Sequence, residues 1–394
     1  MNEHTDILVV GAGFAGAVCA RALAEQGLRV LVLERRDHVA GNAYDCPDEG
    51  GVLIHRYGPH IFHTNDERVF SWLSRFTGWR NYQHRVVASI PDEMGGRLRF
   101  PVPFNLTSLE TAFGEEEGRR LGEKLMAAYG PERKVTILEL RQNVDPELAG
   151  LADYVYEHVF VHYTKKQWGQ RPEQIDPNTT ARVPVFLSRD DRYFQDAYQG
   201  MPLNGYTPMF EAMLDHPNIT LELGVDALAR LDVSGEALKL DGETFSGQVI
   251  YTGQADELFA FCHGPLPYRT LDFRFEQLEQ DDFQGYGTVN YTVDQAYTRI
   301  TEFKHLTGQC CPGKTTIMKE FSRPYTGAAE EIPYYAIINP ENNDLYKRYE
   351  AMARGFGNLH LLGRLAEYKY YNMDAIAGRA LDLARELGGA AWKN

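Results

Sequence analysis

The chain has 394 residues, of which 43% are apolar, 12% aromatic and 24% charged, a composition that predicts a soluble globular protein with two or three packed units. Lys and Arg number 40 against 55 Asp and Glu, and the net charge of −15 argues against binding to nucleic acid or to an anionic membrane. An anionic small molecule is compatible with this charge, because a few arginines inside a cleft can override the overall field.

The cysteines and the apolar segments indicate the compartment. Five cysteines are an odd number, without C-x-x-C or metal-ligand spacing, which favours reduced thiols, a cytoplasmic protein and no metal site. The apolar run that begins at Ile7 follows no basic segment and is interrupted by glycines, so it does not fit a signal peptide. No segment approaches the roughly 20 apolar residues of a membrane-spanning helix.

The first forty residues predict a dinucleotide site. An apolar strand over residues 5–10 ends in the G-x-G-x-x-G motif of residues 11–16, a helix follows, and a second strand over 29–33 ends at Glu34. In such a unit the glycines allow a tight turn, close approach of a pyrophosphate and close helix–strand packing, and the acid accepts hydrogen bonds from a ribose. An acid at Glu34 favours FAD or NAD, and the motif alone does not choose between them.

Two later segments favour FAD. Residues 248–253 predict a strand that ends in Thr252-Gly253, and residues 359–364 predict another strand that ends in glycine. Asn372 is a candidate N-cap for a helix over 373–387, whose positive end would suit the anionic edge of a reduced flavin. Each segment also fits an ordinary strand–helix unit of the same sheet.

The middle of the chain changes character twice. Residues 106–151 predict a run of inserted helices, and the Pro- and Gly-rich stretch within 154–206 predicts a long loop. Trp168 and an arginine on such a loop could stack a base and clamp a phosphate, although an ordinary surface connection fits equally well. Residues 268–338 predict antiparallel strands whose tyrosines form either a half-buried face or, with Arg299, a wall for a sugar or phosphate.

Taken together, segments from almost the whole chain resemble the prokaryotic UDP-galactopyranose mutase family. The strings GPHIFHT (58–64) and YTKKQWG (163–169) are the most specific of them. The matching segments are 11–16, 41–45, 57–64, 101–106, 163–169, 182–185, 190–194, 198–200, 205–207, 251–253, 297–299, 333–335 and 363–364, with Tyr370, Met373 and Asp374.

The resemblance implies an α/β fold, in which a Rossmann-like FAD-binding domain carries an inserted helical bundle domain and an antiparallel β-sheet domain. The FAD domain would comprise residues 1–85, 205–265 and 340–394. The helical domain would comprise 104–165, followed by a mobile substrate loop at 166–185. The sheet domain would comprise 86–103, 186–204 and 266–339.

The resemblance also implies the activity, which is the interconversion of UDP-galactopyranose and UDP-galactofuranose for surface-glycan biosynthesis. Non-covalent FAD, active only when reduced, would attack the anomeric carbon through N5 and form a flavin–sugar iminium, with no net redox change. An external reductant such as NADPH and a homodimeric assembly are implied as well.

Site residues are carried over from the family by position. Arg182 and Arg299 would stabilise the leaving diphosphate, and His63 would assist proton movement. The residues expected to bind substrate are Phe160, Tyr163, Thr164, Trp168, Arg182, Tyr193, Asn290, Arg299, Tyr335, Tyr370, Asn372 and His84. The residues expected to bind the cofactor are Gly11, Gly13, Phe14, Gly16, Glu34, Arg35, Gly41, Asn42, His60, His63, Val225, Thr252, Gly253, Arg364, Tyr370, Asn372 and Met373.

Three positions depart from the family pattern. Ala40 replaces a glycine, which we expect to be a mild change; Phe186 replaces an arginine; and Asn372 replaces an aspartate, which removes a negative charge near the phosphates. Two other functions stay open. One is an oxidoreductase of the amine-oxidase type, which would need a hydride donor and no UDP site. The other is a catalytically silent sensor of nucleotide sugars.

Overall fold

The protein is described by a computed structural model over residues 5–174 and 183–389. Its centre is a five-stranded sheet in which every neighbouring pair is parallel. Runs of Val, Leu and Ile form its strands, because both faces are covered and apolar side chains pack on each side. From edge to edge the strands are Ile219–Leu223, Val30–Glu34, Ile7–Val10, Gln248–Tyr251 and Leu359–Leu361.

Helices cover the parallel sheet. The first, Phe14–Ala24, is almost wholly buried and packs against Met373–Gly388, so the glycine turn lies between the sheet and two helices. Alternating strands and helices of this kind form a Rossmann-like α/β fold. The other helices of this region are Glu67–Leu73, Tyr206–Leu214, Ala255–Leu258 and Pro340–Gly355, with short 3-10 turns at Gly41–Ala43 and Ala227–Ala229.

A second, seven-stranded sheet lies further along the chain. Its strands pair antiparallel except for Thr288–Asn290 and Val86–Pro91, which run parallel. The short helix Phe303–Thr307 follows one of its strands. In spatial order the strands are Tyr335–Ala336, Tyr268–Leu278, Thr315–Pro324, Arg299–Glu302, Thr288–Asn290, Val86–Pro91 and Arg97–Val102.

The inserted helices share one apolar core with the strands Val86–Pro91 and Arg97–Val102. Asn105 caps its first helix through a capping box with Ser108, and Asp145 caps a later helix that begins with Pro146. Its helices are Leu106–Phe113, Glu115–Tyr129, Ile137–Leu140, Pro146–Val155, the π-helical turn Tyr156–Val161 and His162–Trp168.

Small sheets join these parts. One three-stranded sheet contains Phe62–Thr64, Tyr198–Pro202 and Trp79–Asn81, and another contains Leu231–Asp232, Lys239–Leu240 and Glu243–Thr244. Two-stranded pairs are Asp45–Pro47 with Leu53–His55, and Lys134–Val135 with Val185–Phe186. A 3-10 turn spans Pro172–Gln174.

The predicted α/β fold class is confirmed, and one local expectation is wrong. The loop predicted over 154–206 does not begin until after Trp168, because the chain stays helical to that residue and ends its helix at Gly169 with φ +72. Within residues 186–204, which the sequence assigns to the sheet domain, the strand Tyr198–Pro202 pairs antiparallel with Phe62–Thr64 and Trp79–Asn81. The division into three domains stays a prediction.

Within the described ranges, 5–174 and 183–389, none of the helices is both long and apolar enough to cross a membrane.

Candidate active site

A cavity of about 240 Å³ lies at the carboxyl ends of the parallel strands. Val10, Leu33 and Tyr251 mark the ends of three neighbouring strands there, and the N-terminus of the first helix faces the same space. This is where open α/β sheets bind their ligands. Among its lining residues are most of the predicted cofactor residues: Gly11, Gly13, Phe14, Glu34, Arg35, Gly41, Asn42, His60, Val225, Thr252, Gly253, Arg364 and Met373.

Two glycines of the motif have no room for a side chain. Gly11 has φ +102, and a Cβ there would lie 2.1 Å from Thr252 Oγ1. A Cβ on Gly16 would lie 1.9 Å from the Gly11 carbonyl oxygen, so the third glycine lets the helix pack closely against the turn. Gly16 therefore shapes the cavity without lining it.

Glu34 and Arg36 form the polar end of this cavity. Glu34 is buried; its Oε2 accepts from the Ala12 N–H at 2.7 Å, and its Oε1 accepts from the Arg36 N–H at 3.0 Å. Arg36 donates from Nη2 to Asn42 Oδ1 at 2.9 Å and lies over the Tyr57 ring at 4.2 Å. Its Nη1 is buried without a partner among the described residues, so it is a donor available to a bound group.

Two helix N-termini face the cavities without a side-chain cap. Gly13 precedes the first helix, and Asn372 precedes the helix Met373–Gly388; neither accepts a hydrogen bond on a side chain from that helix. The predicted N-cap position of Asn372 is confirmed, although its amide does not cap. Uncapped N–H groups and the helix dipole together favour an anion.

A second cavity, of about 460 Å³, adjoins the first. Asn42, His60, Arg364 and Met373 line both, so the two spaces meet at these four residues. The predicted substrate residues that line the second cavity are Tyr163, Trp168, Tyr193, Asn290, Arg299, Tyr335, Tyr370, Asn372 and His84, and the predicted cofactor residue His63 lines it as well.

Arg299 is the main cation of the second cavity and is held by a buried acid. Its Nε and Nη2 donate to the two carboxylate oxygens of Glu320 at 3.0 and 2.9 Å. Glu320 is 1% exposed and also accepts from the Thr298 hydroxyl at 3.2 Å. The fork fixes the guanidinium plane, and Nη1 donates to none of the described residues.

Aromatic rings surround Arg299. Tyr335 stacks on Tyr370 with centroids 5.8 Å apart, and the Trp168 ring lies 5.3 Å from Tyr335. Arg364 lies over Tyr370 at 4.5 Å and donates to the Tyr371 carbonyl at 2.6 Å. Burial raises the pKa of Tyr335, so its hydroxyl stays protonated and can donate to an anion.

The helix His162–Trp168 presents Tyr163 and Trp168 to the second cavity. Arg269 holds the end of this helix, donating to the carbonyls of Gln167 and Lys166 at 3.1 Å each. Thr164 of this helix and Phe160 of the preceding π-helical turn are buried and do not line the cavity. Of the four predicted substrate residues in this part of the chain, the structure thus brings Tyr163 and Trp168 to the second cavity.

The three predicted histidines differ in their surroundings. Burial lowers the pKa of His60 to about 3, and its Nδ1 lies 2.8 Å from the Gly58 carbonyl oxygen. Burial, followed by the charges of Arg299 and His63, lowers the pKa of His84 to about 3. His60 and His84 are therefore neutral at pH 7. His63 contacts a carboxylate, Asp196, with Nδ1 and Oδ2 2.7 Å apart.

Several predicted residues lie elsewhere. Arg182 lies outside the described residues. Arg35 lines the first cavity, but its side chain is 52% exposed and pairs with Glu257 at 3.4 Å. Phe186 is buried and adjoins Asn105 rather than the cavity. Ala40 has φ +72, so the alanine keeps the left-handed backbone that glycine adopts without strain, and the departure is larger than the mild change we expected.

Sequence reasoning missed three residues. Arg36 follows Glu34 by two residues at a strand end, and side chains two residues apart lie on the same face of a strand. This spacing indicates Arg36, rather than Arg35, as the arginine next to Glu34. Glu320 faces Arg299 only through the strand pairing, in which the two residues are register partners. Asp196 reaches His63 from a different segment, and no pattern in the sequence indicated that contact.

One further group could hold a cation by its ligand atoms. Asp282, Glu302 and His305 offer atoms within 4.8 Å of one another. The Glu302 oxygens already accept from the Phe283 N–H, the Gln284 N–H and the Thr315 hydroxyl. These hydrogen bonds explain the carboxylate position without a metal.

Comparison with known proteins shows which family and which relatives this chain is similar to. A family model described as UDP-galactopyranose mutase matches residues 158–370, and a model for NAD(P)-binding Rossmann-like domains matches residues 9–76. A dTDP-fucopyranose mutase of Escherichia coli is 35% identical over 96% of this chain and 97% of its own length. A probable UDP-galactopyranose mutase of Klebsiella pneumoniae is 36% identical over 98% of this chain and 95% of its own length.

The fold is also found in a solved structure. A crystal structure of reduced UDP-galactopyranose mutase aligns with a TM-score of 0.71 over 98% of this chain and 94% of that chain, at 16% identity.

Proposed function

Because this chain belongs to the UDP-galactopyranose mutase family, whose members are isomerases, we propose that it interconverts UDP-galactopyranose and UDP-galactofuranose with FAD as its cofactor. The observation that carries the proposal is the junction of the two cavities. A dinucleotide-type cavity opens at His60 and Met373 into a space that holds Arg299 and a cluster of aromatic rings. This arrangement suits a flavin next to a nucleotide sugar.

The first cavity fits non-covalent FAD. Glu34 keeps lone pairs for a ribose, and the unpartnered Nη1 of Arg36 offers a donor nearby. The uncapped helix end at Gly13 would hold the pyrophosphate, and the second uncapped end at Met373 would face the flavin ring. The other predicted cofactor residues would complete these contacts.

Arg299 would hold the diphosphate of the substrate. Arg299, whose Nη1 donates to none of the described residues, lines one space together with Tyr335, Tyr370 and Tyr193. The leaving UDP gains charge that a guanidinium stabilises. From the sequence, Arg182 on the loop 166–185 would add a second cation. Tyr163 and Trp168 would stack on uracil, with Phe160 and Thr164 supporting them from beneath.

The chemistry supplied by reduced FAD, when bound, would be a nucleophilic N5 that displaces UDP and holds the sugar covalently without net redox change. The protein's own groups bind and orient the substrate around that step. Arg299 keeps the diphosphate next to the junction of the cavities. His84, Asn290 and Asn372 would contact the sugar and phosphates as uncharged groups, so they add hydrogen bonds without adding charge.

Other parts of the proposal rest on the family resemblance. We propose an external reductant such as NADPH, a homodimer, a cytoplasmic location, a role in galactofuranose glycan biosynthesis and the three-domain division with a mobile loop.

A second candidate is the isomerisation of dTDP-fucopyranose, because a dTDP-fucopyranose mutase is as similar to this chain as its UDP-galactopyranose mutase relatives are. The experiment is to measure kcat/KM of the dithionite-reduced protein with UDP-galactofuranose and with dTDP-fucofuranose. We expect the UDP-sugar to have the higher kcat/KM. A higher value for the dTDP-sugar would assign the second function, and no turnover of either would leave the silent sensor.

A further inference from the structure

His63 is held in one position at the edge of the second cavity. It lies on the strand Phe62–Thr64, and its ring stacks on Phe194 with centroids 3.6 Å apart and an angle of 13°. Its Nδ1 lies 2.7 Å from Oδ2 of Asp196, and its side chain is 13% exposed. The ring therefore has little freedom to rotate, and its two nitrogens face different surroundings.

The hydrogen bonds around Asp196 determine which nitrogen of His63 carries the proton. The Ala197 N–H donates to Asn65 Oδ1 at 2.9 Å, which fixes the Asn65 amide so that its Nδ2 donates to Asp196 Oδ1 at 2.5 Å. Asp196 Oδ2 is then the acceptor for His63, whose Nδ1 must be the donor. His63 Nε2 keeps its lone pair and has no hydrogen-bond partner among the described residues.

The reaction itself requires one proton transfer. When galactopyranose becomes galactofuranose, the C1–O5 bond breaks and a C1–O4 bond forms, so O4 loses a proton and O5 gains one. No proton is consumed overall. When the C1–O5 bond breaks, O5 carries the negative charge and O4 still holds its proton. O4 and O5 are on adjacent carbons, so a single basic nitrogen can take the proton from O4 as the C1–O4 bond forms and pass it to O5.

We propose that Asp196 is a positioning residue that holds His63 in the Nδ1-protonated tautomer, and that His63 Nε2 carries the proton from O4 to O5 of the sugar. The inference rests on the proposed mutase function and adds the group that moves the proton, together with the residue that prepares it.

The other two histidines that line the cavity are weak bases. The pKa of His60 and that of His84 are each lowered to about 3 by burial, so neither ring holds a transferred proton well. His63 instead has a carboxylate on its far nitrogen, which stabilises the imidazolium that forms while the proton is in transit. The hydrogen bond from His63 also lowers the pKa of Asp196, so that carboxylate is ionised at neutral pH.

The test is a double-mutant cycle of Asp196→Asn and His63→Gln, with flavin content and UDP affinity measured for each variant. Asparagine at 196 places an amide N–H2 against a donor, which favours the other histidine tautomer. We expect Asp196→Asn to lower kcat by about 100-fold with KM within twofold, and His63→Gln to lower it at least as much. The double variant should be no slower than His63→Gln, because Asp196 acts through His63.

The matched control is Asp190→Asn on the same segment. Asp190 pairs with Arg192 and does not line the cavity, so kcat should be unchanged. Multiplicative losses in the double variant, or a change confined to KM, would overturn the inference and leave the mutase function standing.

A second readout needs no turnover. In protein labelled with 15N-histidine, the His63 signals should show a protonated Nδ1 and an unprotonated Nε2, and Asp196→Asn should reverse this pattern. A protonated Nε2 in the wild type would contradict the inference even in an active enzyme. A wild type without mutase turnover would overturn the proposed function, and this inference with it.

Discussion

Arg299 lies between a buried carboxylate and the larger cavity, so one guanidinium serves two partners. Two of its nitrogens are fixed by Glu320, and the third donates to none of the described residues, so it is available to the proposed diphosphate. The acid reduces the net charge of the pair, but it also sets the angle at which the free N–H groups face the cavity. A lysine has a single charged nitrogen and cannot hold Glu320 and a diphosphate in the same geometry.

We therefore predict that Arg299→Lys folds, because a cation still faces Glu320, but loses catalytic efficiency. The loss of a charge-assisted diphosphate contact should lower kcat/KM by roughly 30- to 150-fold, about 2–3 kcal/mol. Steady-state kinetics with UDP-galactofuranose measures this. Arg323→Lys is the control, since Arg323 pairs with Asp272 and Glu331 away from both cavities. Equal kcat/KM in the two variants would place the diphosphate elsewhere.

Buried neutral histidines make stability depend on pH. Burial lowers the pKa of His55 to about 4, against 6.5 in an unfolded chain, and its Nε2 has no partner in the described parts of the structure. Below pH 6.5 the unfolded state therefore binds a proton that the folded state does not. The stabilising contribution is complete above pH 6.5 and is lost as the pH falls towards 4. His60 and His84 act in the same direction.

We predict that His55→Gln reduces the dependence of the unfolding free energy on pH. Between pH 6 and pH 5 the unfolding free energy of the wild type should fall by about 1 kcal/mol more than that of the variant, because one proton uptake is removed. Urea unfolding at the two pH values gives the difference. His162→Gln should retain the wild-type dependence, since the His162 side chain is 41% exposed. An unchanged pH dependence in His55→Gln would show that His55 is not the source.

Single residues were predictable where the chain itself carries the signal. The glycine motif and Glu34 are placed by local spacing, and the structure has them at the strand ends that such spacing predicts. Arg299 was found by resemblance, but its partner Glu320 was not, because the two meet across a strand pair. Contacts of this kind depend on register between distant segments, which local patterns do not encode.

At the scale of elements, the first strand, glycine turn and helix form one unit. The strand ends at Val10, the turn begins at Gly11 with φ +102, and the helix starts at Phe14 with its N–H groups facing the cavity. Gly16 lets the helix lie directly on this turn. The position of the helix end, and with it the proposed pyrophosphate site, depends on Gly16 having no side chain.

We predict that Gly16→Ala loses flavin and stability. Its Cβ would lie 1.9 Å from the Gly11 carbonyl oxygen, which is backbone, so the helix must shift, at a cost of about 1–3 kcal/mol. Flavin absorbance per protein and the thermal midpoint measure both effects. Gly150→Ala is matched to it as a helical glycine with nothing within 4 Å, and should stabilise by about 0.5–1 kcal/mol. Full flavin content in Gly16→Ala would contradict the close-packing argument.

Helices and strands whose sequences follow one hydrophobic period were predictable from the sequence, and segments of mixed composition were not. The apolar strands of the parallel sheet and the charged helices of 106–151 were both expected and found. The helix His162–Trp168 was assigned to a loop, because the prolines and glycines that follow it dominated the wider window. Its own aromatic and Thr residues have modest helix propensity. Packing on the sheet, held by Arg269, stabilises the helix instead.

At the scale of the whole molecule, a net charge of −15 surrounds a site that we expect to bind a diphosphate. Arg299 and Arg364 line the second cavity, and many surface arginines are paired with acids. The overall charge therefore describes the surface, and the cavity has its own local field. Composition argues against binding of polyanions such as nucleic acid, and only the placed residues indicate the proposed nucleotide sugar.

We propose that this protein uses a bound flavin for an isomerisation without net electron transfer. The most direct measurement is the yield of UDP-galactopyranose from UDP-galactofuranose after a single anaerobic reduction with dithionite. Product should exceed flavin by more than 100-fold, with the flavin still reduced at the end and no product formed by the oxidised protein. Product limited to one equivalent of flavin, or flavin reoxidised during turnover, would show net electron transfer and contradict the account.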